Sequence, residues 1–245
     1  MLDIKNLNIC YGKKQILNNV NLVFEDSSFN AILGVNGAGK TTLFKSILGL
    51  IKPASGEILV ENKNIKDISI KQKAKLISYM PQILHTPFNY QVFDMVAFGL
   101  EPHTRIFGKI DKNKIFNILE MLNIYDLAYQ GVQSLSGGQK ALVLLARCIL
   151  QDSKILLLDE PIAYLDIKNQ KLLLNIISSL KKTIIINIHD PSLALDYATN
   201  IIAIKNQNIL FQKNKDDVVL SDLEKLYEID LNYNKSENMH FVKAI

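Results

Sequence analysis

The stretch Gly34-Val35-Asn36-Gly37-Ala38-Gly39-Lys40-Thr41-Thr42 decides how the rest of this chain is read. It follows an apolar, strand-like run at residues 29–33 and leads into a helix-like run at residues 43–50. Gly34, Gly39, Lys40 and Thr41 fit the phosphate-binding pattern G-x-x-x-x-G-K-[ST]. Glycine lets a backbone wrap closely enough to aim its N–H groups at phosphate oxygens. The helix that follows adds the positive end of its dipole. Lys40 can then neutralise the β- and γ-phosphates, and the Thr41 hydroxyl can hold Mg²⁺.

Working outward, two strongly apolar runs at residues 155–158 and 184–188 are too short for helices. They read as strands buried on both faces of a parallel sheet. Residues 172–180 form a helical connection between them, giving a βαβ unit. In such sheets ligands bind beyond the carboxyl ends of the strands. Three strand ends carry polar chemistry: the glycine-rich loop, Asp159-Glu160, and His189-Asp190. Asp159 suits Mg²⁺, and Glu160 can polarise a water that attacks a γ-phosphate. His189 can sense or orient that phosphate. Leu135-Ser136-Gly137-Gly138-Gln139 precedes a helix at residues 141–150, with Ser136 as its N-cap. This is a second helix start able to meet phosphate. Two such ends for one nucleotide hint at a site shared between two chains.

The N-terminal third reads as short strands at residues 3–10, 15–24, 57–60 and 77–80, with a turn at residues 11–14. Residues 92–100 and 114–122 carry apolar side chains at helical spacing, such as Ile115, Ile118, Leu119 and Leu122. They flank a polar loop at residues 101–111. Residues 201–204 are a further strand, followed by a turn at residues 205–208, and residues 220–227 a short helix. The reading is an α/β fold: a P-loop ATPase core with a mixed or parallel sheet, an antiparallel N-terminal β subdomain and an inserted helical subdomain. Its division is residues 1–82 and 151–245 for the core and 83–150 for the insert, all within one domain.

Composition narrows the class. With 28 basic and 24 acidic residues among 245, the net charge of +4 is no nucleic-acid signature. No apolar run is long enough for a transmembrane helix, and the first residues lack the form of a signal peptide. Cys10 and Cys148 have no metal-ligand spacing and read as reduced core thiols. His85, His103 and His240 read as solvated or interface histidines.

With these motifs in place, the chain resembles the ATP-binding subunits of ATP-binding-cassette (ABC) transporters over nearly its whole length. Residues 135–139 match that family's signature motif and residues 155–160 its Walker B motif. Gln82, in Tyr79-Met80-Pro81-Gln82, falls where the family keeps its Q-loop glutamine. Asp166 falls in the D-loop, and His189 in the switch-histidine position. The resemblance implies catalytic roles for Glu160, His189 and Gln82, and a Mg²⁺ site from Thr41, Gln82 and Asp159. It gives Tyr11 to adenine stacking beside the ATP loop of residues 34–42. It implies a head-to-tail homodimer in which Ser136, Gly137, Gly138, Gln139 and Asp166 of one chain close over ATP held by Lys40 of the other. It also implies integral membrane permease subunits, a substrate-binding protein acting indirectly, and a peripheral position on the cytoplasmic face of the inner (plasma) membrane. No nucleic acid is expected.

Two positions depart from the family pattern near the implied dimer seam: Ile162 in place of Thr, and Tyr164 in place of a small residue. After Gln139, Lys140 and Arg147 keep only part of the usual basic charge. Residues 92–109 look like those of metal-chelate importers, which take up ferric siderophores, haem, cobalamin or molybdate. Phe88, Val92, Phe93 and Phe107, with Arg105 and Lys109, make the segment from Gln82 to Lys109 the expected docking surface. Three alternatives remain: an exporter subunit, a soluble ABC ATPase acting on DNA or ribosomes, and a module that holds ATP without hydrolysing it. Too few residues separate Lys40 from Ser136 for the long coiled coil of the DNA-repair relatives. Ribosomal relatives usually carry two cassettes, and this chain has one P-loop. Glu160 and His189 argue against the non-hydrolysing module.

Overall fold

The structure is a computed structural model, and it describes residues 1–84, 86–103, 111–236 and 239–244. In chain order the strands are β1 (Leu2–Tyr11), β2 (Lys14–Phe24), β3 (Phe29–Leu33), β4 (Ser55–Val60), β5 (Lys63–Asn64), β6 (Ile77–Met80), β7 (Ile155–Asp159), β8 (Thr183–Asn187), β9 (Asn200–Lys205), β10 (Asn208–Asn214), β11 (Leu231–Ser236) and β12 (Met239–Ala244). The helices are α1 (Lys40–Ile47), α2 (Ile70–Leu76), α3 (Val92–Ala97), α4 (Lys112–Met121), α5 (Gly137–Leu150), α6 (Ile167–Ser179), α7 (Pro191–Tyr197) and α8 (Leu220–Tyr227). They fall into two compact units, Met1–Ile68 with Lys181–Ile245, and Ser69–Leu180. The boundaries at 83 and 150 drawn from sequence both lie inside the second unit.

In the first unit, β3 pairs in parallel with β8 on one side and β9 on the other, and β10 closes antiparallel on β9. All five residues of β3 and of β8 are buried, as a strand covered on both faces requires. A separate antiparallel sheet runs β2-β1-β4-β5. Its β1–β2 pair is irregular. The register shifts between Ile4 and Leu7 and again between Leu7 and Ile9, with Asn6 and Asn19 at φ near +48° and +47°. Asparagine tolerates that conformation better than most residues. The irregularity frees backbone donors, and side chains reclaim them. Asn6 N–H donates to Asn21 Oδ1, and Asn19 N–H to Asn8 Oδ1, both at 2.9 Å.

The end of this unit departs from the sequence reading. β11 and β12 form a hairpin, and His240 is not solvated. Its backbone N–H and its Nδ1 both meet Asp196 Oδ1 on α7, at 2.7 and 2.8 Å, and its ring stacks on Tyr233. An acceptor at the helix presented to two donors holds the imidazole in the fold.

In the second unit β6 and β7 pair in parallel, Tyr79 opposite Leu157 and Met80 opposite Leu158. Around them the helices bury their apolar stripes. Val92 and Val96 of α3, Ile115 and Leu119 of α4, and Val143 and Leu145 of α5 are all fully enclosed. α2 begins with a reciprocal cap, Ser69 with Gln72, a pattern present in the sequence but not read there. His103 donates from Nε2 to the carbonyl of Gln151 at 2.8 Å, which ties the chain after α3 to the end of α5. Phe107, Arg105, Lys109 and His85 lie outside the described residues. Cys148 is buried and Cys10 half-buried, and both are free thiols. Burial pushes the Cys148 thiol up to about 11, so it stays protonated at neutral pH.

Candidate functional site

In the first unit the glycine-rich loop joins β3 to α1 as expected. Gly39 is the N-cap of α1 at φ +102°, and no side chain caps the helix. Only glycine holds that dihedral without strain. A Cβ there would also stand 2.9 Å from the Leu17 side chain. Lys40 is 6% exposed, and a cation so enclosed needs acceptors. Its Nζ donates to the carbonyls of Gly34 at 2.7 Å and Val35 at 3.2 Å. The ammonium is thus fastened over the loop that its own helix terminates. Val35, Asn36 and Gly37 are exposed at the loop tip, while Ala38 and Gly39 are buried and Thr41 and Thr42 half-buried. Tyr11, at the end of β1, keeps half its surface exposed.

His189 follows β8 and is exposed. Its carbonyl accepts from the Tyr227 hydroxyl at 3.3 Å. Burial, with the nearby Asp190 carboxylate, pushes the Tyr227 phenol up to about 12, so that donor persists at working pH. Asp190 caps α7 by accepting from the backbone of Ser192 at 2.8 Å. The turn carrying His189 is therefore held from both sides.

In the second unit β7 ends at Asp159, a carboxylate 2% exposed. Its Oδ2 accepts from the Tyr79 hydroxyl at 3.3 Å. Glu160 has φ +51°, a backbone state that costs a non-glycine residue about 1–2 kcal/mol. Such outliers persist where the surroundings over-determine them. Here Gln82 donates from Nε2 to Glu160 Oε2 at 2.5 Å. Gln82 and Glu160, 78 residues apart, are thus brought together.

Ser136 is the N-cap of α5, as read from sequence. Its hydroxyl accepts from Gln139 N–H at 3.2 Å, and its own N–H donates to Gln139 Oε1 at 2.9 Å. The adjoining glycines are set by a close neighbour. A Cβ on Gly137 would lie 3.2 Å from that of Tyr164, and one on Gly138 3.0 Å from the Tyr164 carbonyl. Tyr164, one of the two departures, therefore rests on the signature loop with half its surface exposed, whereas Ile162 is buried. Asp166 caps α6 through Asn169 N–H at 2.8 Å. Gln170 donates to the carbonyls of Ile162 and Leu165, which ties the D-loop down. Sequence reasoning missed Tyr79. The available signal was a phenol on the strand beside a buried carboxylate.

Residues 17–163 match the family model of the ABC transporter. The chain belongs to that family. A probable iron chelatin transport ATP-binding protein of Helicobacter pylori is 38% identical over the full length of both chains. Among solved structures, an inward-facing ABC transporter described as of metal-chelate type has a TM-score of 0.83 at 28% identity, covering 100% of this chain and 96% of its own. A dimeric ATP-binding cassette in a post-hydrolysis state, bound to ADP and Pi, has a TM-score of 0.80 at 25% identity, covering 88% of this chain and 99% of its own. The protein is an ABC ATPase, the ATP-binding subunit of a membrane transporter, with the cassette's α/β fold. Among the described residues no helix of the cassette is long and apolar enough to cross a membrane.

Proposed function

We propose that this cassette hydrolyses ATP to drive uptake of an iron(III) chelate, or a related species such as haem, cobalamin or molybdate, through separate permease subunits. The observation that carries the cargo is the 38% identity, end to end, with the iron chelatin transport protein. The chemistry rests on the chain's own groups. The loop of residues 34–42 wraps the phosphates of ATP, with Lys40 supplying the cation and Tyr11 stacking on adenine. A nearly buried lysine already fastened to loop carbonyls needs little reorganisation to do so. Glu160 polarises the attacking water, Gln82 orients the glutamate, and His189 contacts the γ-phosphate.

The donor set of the Thr41 hydroxyl, the Asp159 carboxylate and the Gln82 amide is hard oxygen and suits Mg²⁺. Such an ion takes one or two carboxylates and leaves further positions to substrate phosphates. When bound, Mg²⁺ would neutralise charge developing on the phosphates.

The working form is a head-to-tail homodimer on the cytoplasmic face of the plasma membrane. Ser136, Gly137, Gly138, Gln139 and Asp166 meet the partner's ATP. Residues 83–150 form the helical subdomain that meets the permease, with a substrate-binding protein acting only through it. Phe88 is 62% exposed beside Tyr90 in an edge-to-face pair, as a docking aromatic should be.

Glu160→Gln keeps the shape and loses the base. It should bind Mg·ATP and slow hydrolysis about 10²- to 10⁴-fold, accumulating as an ATP-bound dimer by light scattering. Only monomer with Mg·ATP would sink the dimer. Cells lacking this chain should fail to take up labelled ferric chelates. Normal uptake of iron chelates, haem, cobalamin and molybdate would sink the cargo and leave the ATPase standing.

A further inference from the structure

Tyr79 stands at a crossing inside the second unit. Its hydroxyl donates to Asp159 Oδ2 at 3.3 Å, while its carbonyl accepts from Arg147 Nη2 on α5 at 3.3 Å. The strand it occupies is fastened on the other side too. Ser153 donates from Oγ to Ser78 Oγ at 2.8 Å, and Gln151 donates from Nε2 to the carbonyls of Ala74 and Ile77. The phenol is thus presented to Asp159 from a backbone that cannot easily withdraw it. Three residues further along, the chain supplies Gln82 to Glu160. One short segment therefore addresses both carboxylates at the end of β7.

We propose that Tyr79 is a positioning residue for Asp159, its O–H fixing the carboxylate in the orientation that receives Mg²⁺ with ATP. The inference rests on the reading of Asp159 as a Mg²⁺ ligand. An aspartate's outer torsion is broad and roughly two-fold, so a buried carboxylate needs an external donor to select one orientation. Partners of metal ligands that act this way change metal affinity about 10- to 100-fold when removed. The 3.3 Å separation argues for the lower end.

The experiment uses the full-length chain with ATP and Mn²⁺ as the probe, read by electron paramagnetic resonance. Tyr79→Phe removes one oxygen and keeps the ring. It should raise the half-saturating Mn²⁺ concentration about tenfold. ATP binding in EDTA and the melting temperature should not change. Asp159→Asn should abolish the Mn²⁺ dependence, and adding Tyr79→Phe to it should do nothing more. If Tyr79→Phe binds Mn²⁺ as the wild type does while Asp159→Asn does not, the positioning role is wrong and the Mg²⁺ reading survives. A Tyr79→Phe loss that appears equally in EDTA also overturns the positioning role, because the residue is then only structural. If Asp159→Asn itself binds Mn²⁺·ATP normally, the underlying reading falls.

Discussion

Two helix starts in this cassette are proposed to meet phosphate, and they are built in opposite ways. α1 begins at Gly39 with no side-chain cap, and its lysine is fastened to the loop before it. α5 begins at Ser136 with a reciprocal cap that already engages Gln139 N–H and the serine's own N–H. The first turn of any helix leaves backbone donors unmet. At α1 no side chain takes them, so that end gains from an anion. At α5 the cap takes one first-turn donor, Gln139 N–H, and phosphate would meet those that the cap leaves. The difference suits the proposed division of labour, in which α1 holds a chain's own nucleotide and α5 meets the partner's.

That asymmetry can be broken or sharpened by substitution. Lys40→Ala should cost about 10²- to 10³-fold in hydrolysis, the range for removing one preorganised electrostatic group. Wild-type turnover in the assembled transporter would end the reading of α1 as the primary site. Next in size is a mixing experiment. Lys40→Ala and Ser136→Arg chains, each inactive alone, should recover about one working site per mixed dimer, since one shared site then keeps both intact halves. No recovery in any mixture would mean that α5 serves its own chain. Smaller again is Gly39→Ala, which should lower unfolding free energy by about 1–2 kcal/mol through its backbone dihedral, read by urea denaturation without nucleotide. Smallest is the cap. Ser136→Ala should cost about 1 kcal/mol and Ser136→Gly only a few tenths. Equal losses would show that the hydroxyl is not capping α5.

Much of this was legible. The strand–loop–helix order around Lys40, the apolar strands ending at Asp159 and before His189, and the cap at Ser136 all follow from local chemistry that needs no partner. What was missed depends on residues far apart or on weak periodicity. The first strand of the β11–β12 hairpin lies in a polar stretch, Asn232-Tyr233-Asn234-Lys235-Ser236, and it pairs with β12, whose His240 and Val242 are held by Asp196 and Ser192 of α7. β10 does alternate, with Ile209, Phe211 and Lys213 half-buried between exposed neighbours, but the turn residues before it masked the pattern. α7 has a readable start, Asp190 as cap with Pro191 behind it. The positive φ of Glu160 had no signal at all, since nothing in Leu158-Asp159-Glu160-Pro161 demands it. The grip of Gln82 on that glutamate could be found only in three dimensions.

α5 has a further consequence as a mechanical part. Arg147 lies eleven residues beyond Ser136, roughly 16 Å along the axis at 1.5 Å per residue. A straight helix hardly compresses over that length. One end of the rod carries the serine proposed to meet a partner's phosphate, and the other holds the Tyr79 carbonyl. A displacement of Ser136 would pass along that rod to the strand that leads to Gln82. In the proposed dimer, each chain would then register its partner's nucleotide as a shift in the glutamine that grips its own Glu160.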